Sequence, residues 1–122
     1  MPDFPKVGQD YITRRFPRAT RGEREKLLKD WLSKDASASG ITADFERRIG
    51  PLAGLRVLDA GSGNGGTSIA LAAHGALVEG VEIEEDLVAI ARAQAAAKGS
   101  SARFTCYDGR TLLFSDASFD AA

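Results

Sequence analysis

Four of the eight residues in Asp59-Ala60-Gly61-Ser62-Gly63-Asn64-Gly65-Gly66 are glycines, and the stretch begins inside a short apolar run at 55–60. A run of that length, closed by a carboxylate and then by glycines, is the pattern of a buried parallel strand whose carboxyl end opens on a site. Residues 67–74 then read as a helix with Ile69, Ala70 and Ala73 inward, ended by Gly75. A strand, a glycine turn and a helix in that order bring backbone N–H groups and the positive helix end up to a ligand. Glycine allows close approach and positive φ in such a turn.

The same alternation continues. Residues 76–83 form a second apolar run, Glu84, Glu85 and Asp86 suit a helix amino end, and the alanine-rich stretch 88–98 carries that helix to Gly99. Residues 103–107 make a third strand, Asp108 and Gly109 open a loop, and 119–122 begin a fourth. The expectation is an α/β Rossmann-like doubly wound sheet, amino-terminal half only, with strands 1 to 3 parallel.

Before Gly50-Pro51 the character differs. Residues 1–17 hold Pro2, Pro5 and Pro17 and read as an irregular arm. A helix is expected from Thr20, which stands three residues before Glu23 in capping-box spacing, with Leu27, Leu28, Trp31 and Leu32 on one face. Residues 34–40 read as a small polar connection, and 42–49 as a short helix capped by Thr42. Residues 1–50 are thus expected to be an arm and helices that could cover a site, and 51–122 a ligand-binding half domain.

The turn fits GxGxxG through Gly61, Gly63 and Gly66, and GxGxG through Gly61, Gly63 and Gly65, so the glycines leave the cofactor open. Glu82 ends the second strand twenty-one residues after Gly61, where a carboxylate can accept from ribose hydroxyls of either nucleoside cofactor. Asp59 discriminates. A carboxylate two residues before the first glycine repels a pyrophosphate and suits an ammonium group, which favours S-adenosylmethionine over NAD.

The segment Val57-Leu58-Asp59-Ala60-Gly61-Ser62-Gly63-Asn64-Gly65 resembles motif I of the class I S-adenosylmethionine-dependent methyltransferases. Gly80-Val81-Glu82-Ile83 resembles that family's acidic second-strand end. Asp108-Gly109, Leu112, Phe114 and Phe119-Asp120 resemble its third-strand loop and fourth-strand start. Leu113 departs from the proline many members carry before the phenylalanine. The resemblance implies that Asp59 helps hold the methionine amino group, that Gly61 and Gly63 admit the cofactor with Gly65 also among the cofactor-binding residues, and that Glu82 binds the ribose. It further implies that Ile83 packs on adenine, Asp108 accepts from the adenine amino group, and Gly109 offers its backbone amide. It covers about 52–122, so a carboxy-terminally truncated member lacking most of the acceptor half is the expectation.

Other residues carry plainer readings. His74 near a helix end is expected to cap it, Cys106 to be a small buried residue, and Trp31 to pack. Arg14, Arg15, Arg18, Arg21 and Arg24 read as a solvated face before a nucleic-acid patch, given Glu23 and Glu25 between them. The net charge of −1 supplies no global field to recruit nucleic acid or an anionic membrane. One cysteine and no secretory or membrane-spanning run make the cytoplasm the default location. No catalytic base and no metal site are assigned. Methyl transfer to a small-molecule acceptor is the leading reading; a NAD-dependent oxidoreductase, a non-catalytic binding module and methylation of nucleic acid guided by the basic arm are its rivals.

Overall fold

The computed structural model describes residues 6–32 and 40–122, and the chain divides into two units, Met1–Lys34 and Asp35–Ala122. In the first unit, α1 (Lys6–Arg15) replaces the irregular arm expected there. No proline lies within it, and Pro17 stands two residues beyond its end. Gly8, Tyr11 and Ile12, at i, i+3 and i+4, are its buried face, and Arg14 and Arg15 stand in the last turn, where cations favour the helix dipole.

The capping box formed as its spacing predicts. Thr20 Oγ1 accepts from Glu23 N at 3.2 Å, and Thr20 N donates to the Glu23 carboxylate at 2.7 Å, opening α2 (Arg21–Leu27). Those two bonds hold the exposed Glu23 carboxyl below its usual range. The helix runs on as a π-helical turn, Leu28–Leu32, with Leu28 buried. The side chains of Trp31 and Leu32, and the connection at 33–39, lie outside the described residues. Arg14, Arg15, Arg18 and Arg21 are exposed, Arg21 bonds Glu25 at 3.2 Å, and Arg24 donates to the Pro17 carbonyl at 3.0 Å, as on a solvated face.

The second unit opens with α3 (Ile41–Ile49). Its cap is Gly40 at φ 77°, with no side-chain cap bond, whereas Thr42 was expected there; Thr42 sits inside the helix and is buried. Gly50 ends it at φ 87°, donating to the Glu46 carbonyl. Then follow β1 (Arg56–Ala60), α4 (Gly66–Ala73), β2 (Leu77–Glu82), α5 (Glu85–Lys98) and β3 (Arg103–Cys106). The strands are parallel in the order β1-β2-β3, with Asp59 opposite Gly80 and Glu82 opposite Cys106.

On the other side of β1, Ala121 forms a parallel bridge with Val57, and Leu58 N donates to its carbonyl at 3.0 Å. The start of a fourth strand therefore lies beside β1, and strand order reverses there, as at the ligand-binding switch point of doubly wound sheets. The core is built from Leu52, Val57, Ile69, Leu71, Val78, Val88, Ala91 and Phe104 with alanines 76, 95 and 102. Small side chains let α4 and α5 lie close on the sheet. Two expectations shift. Ala73 is exposed, because the inward arc of α4 is Ser68, Ile69, Ala70 and Leu71, and Cys106 is half-buried, its thiol donating to the Ile83 carbonyl at 3.2 Å. His74 is the exposed cap residue of α4.

Candidate functional site

The glycine turn is held by its neighbours' main chain. Gly61 N and Ser62 N both donate to the Val81 carbonyl, at 2.8 and 3.0 Å, which folds the turn across the end of β2. Gly63 N donates to Glu82 Oε1 at 3.2 Å, and Gly65 N to the Ser62 carbonyl at 3.0 Å. Asn64 Oδ1 accepts from Gly66 N at 3.1 Å, satisfying one of the open donors at the start of α4, while Gln94 of α5 donates to the Asn64 carbonyl at 3.0 Å.

The glycines divide into two kinds. Gly61 (φ 71°) and Gly63 (φ 55°) have positive φ, and a Cβ on either would meet nothing within 4 Å, so the turn presents bare backbone to open space. A Cβ on Gly65 (φ 85°) would stand 2.8 Å from both Ala91 Cβ and Phe104 Cζ; one on Gly80 would stand 2.6 Å from Phe104 Cδ1 and 2.9 Å from Ser62 Cβ. Packing of α5 and β3 behind the turn demands glycine at Gly65 and Gly80, and this gives Gly65 a structural part beside the ligand-facing one expected of it. The Ser62 hydroxyl, buried on that inner side, has no hydrogen-bond partner among the described residues.

Asp59 is the last but one residue of β1, with its side chain half-buried. Burial pushes its carboxyl above the ordinary aspartate value, and the Ser68 hydroxyl, donating to Oδ2 at 2.6 Å, pulls partly back. Glu82 ends β2. Besides Gly63 N, its carboxylate accepts from Ile83 N at 2.6 Å and Glu84 N at 3.0 Å, so three backbone donors fix it at the mouth of the turn.

The apolar Ile83 side chain is 59% exposed at the same edge. Gly109 (φ 81°) lies against it so closely that a Cβ there would be 2.8 Å from Ile83 Cδ1. Asp108 shapes that approach: its Oδ1 accepts from Arg110 N and Thr111 N, both at 2.7 Å, and these bonds hold the exposed carboxyl below its usual value. Gly63 thus meets Glu82, Gly109 meets Ile83, and Asp59 stands one strand away, all at the carboxyl edge of the sheet. Sequence reasoning missed Ser68, Asn64, Gln94 and Phe104. Ser68 did carry a signal, as a hydroxyl in an apolar helical arc nine residues after the acid it bonds.

The "Methyltransferase domain" family model matches residues 57–122, more than half of the chain. A "Demethylmenaquinone methyltransferase" of Clavibacter sepedonicus is 39% identical over 75 residues, covering 62% of this chain and 30% of the relative. A "Ubiquinone biosynthesis O-methyltransferase" of Methylocella silvestris is 31% identical over 123 residues, covering 97% of this chain and 47% of the relative. Among solved structures, a SAM-dependent methyltransferase from Thiobacillus denitrificans in complex with S-adenosyl-L-homocysteine superposes with a TM-score of 0.56 at 30% identity, over 66% of this chain and 34% of that one. The chain therefore spans less than half the length of these relatives. With three parallel strands, helices α4 and α5 as their crossovers, and a glycine turn at the carboxyl edge, it belongs to the class I S-adenosylmethionine-dependent methyltransferase family.

Proposed function

We propose that residues 51–122 bind S-adenosylmethionine and serve methyl transfer to a small-molecule acceptor. The observation that carries the reading is Asp59: a carboxylate drawn partly out of water, immediately ahead of a turn whose first two glycines face open space. An ammonium group compensates such a charge, whereas a pyrophosphate would be repelled. The donor set fits the cofactor. Asp59 would take the ammonium group, Gly61 and Gly63 would admit the chain beside their backbone, and Ile83 with Gly109 would flank the adenine.

Glu82 would take the ribose. Its two oxygens offer about four lone-pair positions, of which three backbone donors use three, so one is open and a second hydroxyl must share or displace a donor; the 3.2 Å bond from Gly63 is the longest. Asp108 has Oδ1 committed to its own loop, so Oδ2 is the oxygen for the adenine amino group. When bound, the cofactor supplies an activated methyl group on a sulfonium. The protein's part is to hold it in line with the acceptor, an effect of position rather than of covalent chemistry.

Relatives named for ubiquinone biosynthesis and for demethylmenaquinone favour an aromatic small molecule as the acceptor. Calorimetry tests the cofactor: S-adenosylhomocysteine is expected to bind and NADH not to. Preference for NADH would overturn the reading. Transfer of a labelled methyl group to a phenolic or quinol acceptor tests the reaction.

A further inference from the structure

Ser68 is wholly buried on α4, and its hydroxyl donates to Asp59 Oδ2 at 2.6 Å. A helical serine shielded from solvent can turn its hydroxyl back to the carbonyl four residues earlier. Here that carbonyl belongs to Asn64, and Gln94 already donates to it at 3.0 Å. The Ser68 proton is directed to the strand instead. Among the described residues Asp59 Oδ1 has no hydrogen-bond partner.

We propose that Ser68 is a positioning residue for recognition of the ligand's ammonium group: its buried hydroxyl ties down Oδ2 of Asp59, so that Oδ1 is kept for the ligand. This rests on the cofactor reading above and goes further, because it assigns part of the selectivity to a side chain that need not touch the ligand. The physical reason is twofold. A hydrogen bond to the ionised form opposes the desolvation that burial imposes on Asp59, and holding one oxygen removes rotamer freedom that would otherwise be lost on binding. The backbone contacts of the turn, which serve the rest of the ligand, do not pass through Ser68.

The experiment compares two ligands in the full chain: S-adenosylhomocysteine, which carries the ammonium group, and 5′-methylthioadenosine, which lacks it. In Ser68→Ala the first is expected to weaken about tenfold, the loss typical of a hydrogen bond to a charged group, with the second unchanged. Ser68→Thr, which keeps the donor, is expected to restore most of the difference. In an Asp59→Asn background, Ser68→Ala is expected to have no further effect on S-adenosylhomocysteine. Equal weakening of both ligands, or no weakening of either, would overturn the role of Ser68 while leaving the cofactor reading standing. Failure of the unaltered chain to bind S-adenosylhomocysteine would overturn both.

Discussion

Gly65 and Gly61 are identical in the sequence and opposite in what they require. Adding a Cβ at Gly65 drives it into Ala91 and Phe104 at a residue with φ 85°, so Gly65→Ala is expected to destabilise the chain by about 2–3 kcal/mol in urea unfolding. At Gly61 the Cβ enters open space, and only the positive φ resists it, at about 1 kcal/mol; there the larger loss should be in affinity for S-adenosylhomocysteine. The motif announced both glycines, but the distinction was not legible, because it depends on Phe104 reaching across from β3. Asp59 is the converse case, since its position alone made it the candidate for the ammonium group. Its carboxyl is raised by burial, so the folded chain holds that proton more tightly than the unfolded one, and the stability this gives is lost as pH rises from about 4 through the raised value. Above that window the charged form is a cost to folding. Asp59→Asn is therefore expected to raise the melting temperature of the ligand-free chain at pH 7 while weakening S-adenosylhomocysteine at least about tenfold, a trade of binding for stability. A lowered melting temperature would contradict it.

At the level of elements, signals carried by local side-chain chemistry were readable and those carried by tertiary packing were not. The Thr20-Glu23 spacing gave the start of α2 because the two bonds form within one turn. Thr20→Ala is expected to remove about 1 kcal/mol from that helix, seen as faster amide exchange at Glu23 and Arg24 with α5 unaffected. The helix α1 is hidden in the sequence by the prolines around it, although none falls inside it and Gly8, Tyr11 and Ile12 have helical spacing. For α3 the threonine attracted the cap assignment, whereas Gly40, free to adopt φ 77°, begins the helix and leaves Thr42 to be buried. Strand positions came out within a residue or two, since the apolar runs and the acids that end them follow directly from burial and an open carboxyl edge.

Across the whole parallel sheet, register is what gathers the site. Pairing Asp59 with Gly80 and Glu82 with Cys106 brings three loops to one edge, and no local sequence signal states that pairing. The fourth strand's start is fastened at the opposite end of β1. Asp120 accepts from Arg56 N at 2.8 Å, its own N–H donates to the Arg56 carbonyl at 2.7 Å, and the Arg56 backbone and side chain hold its carboxyl below the usual value. A depressed carboxyl contributes stability above its unfolded value, near 4, and loses it as pH falls through the folded one. Unfolding followed from pH 5 to pH 2 should therefore show a smaller acid-induced loss in Asp120→Asn than in the unaltered chain; equal losses would mean the bond does not fasten the strand. The cofactor is proposed to sit across the glycine turn at the carboxyl edge of the sheet. Backbone amide shifts recorded by NMR as S-adenosylhomocysteine is added are predicted to move at Gly61, Gly63, Ile83 and Gly109, with Leu77 and Arg103 at the far end of the strands unmoved. Shifts concentrated at that far end, with the glycine turn silent, would contradict the account.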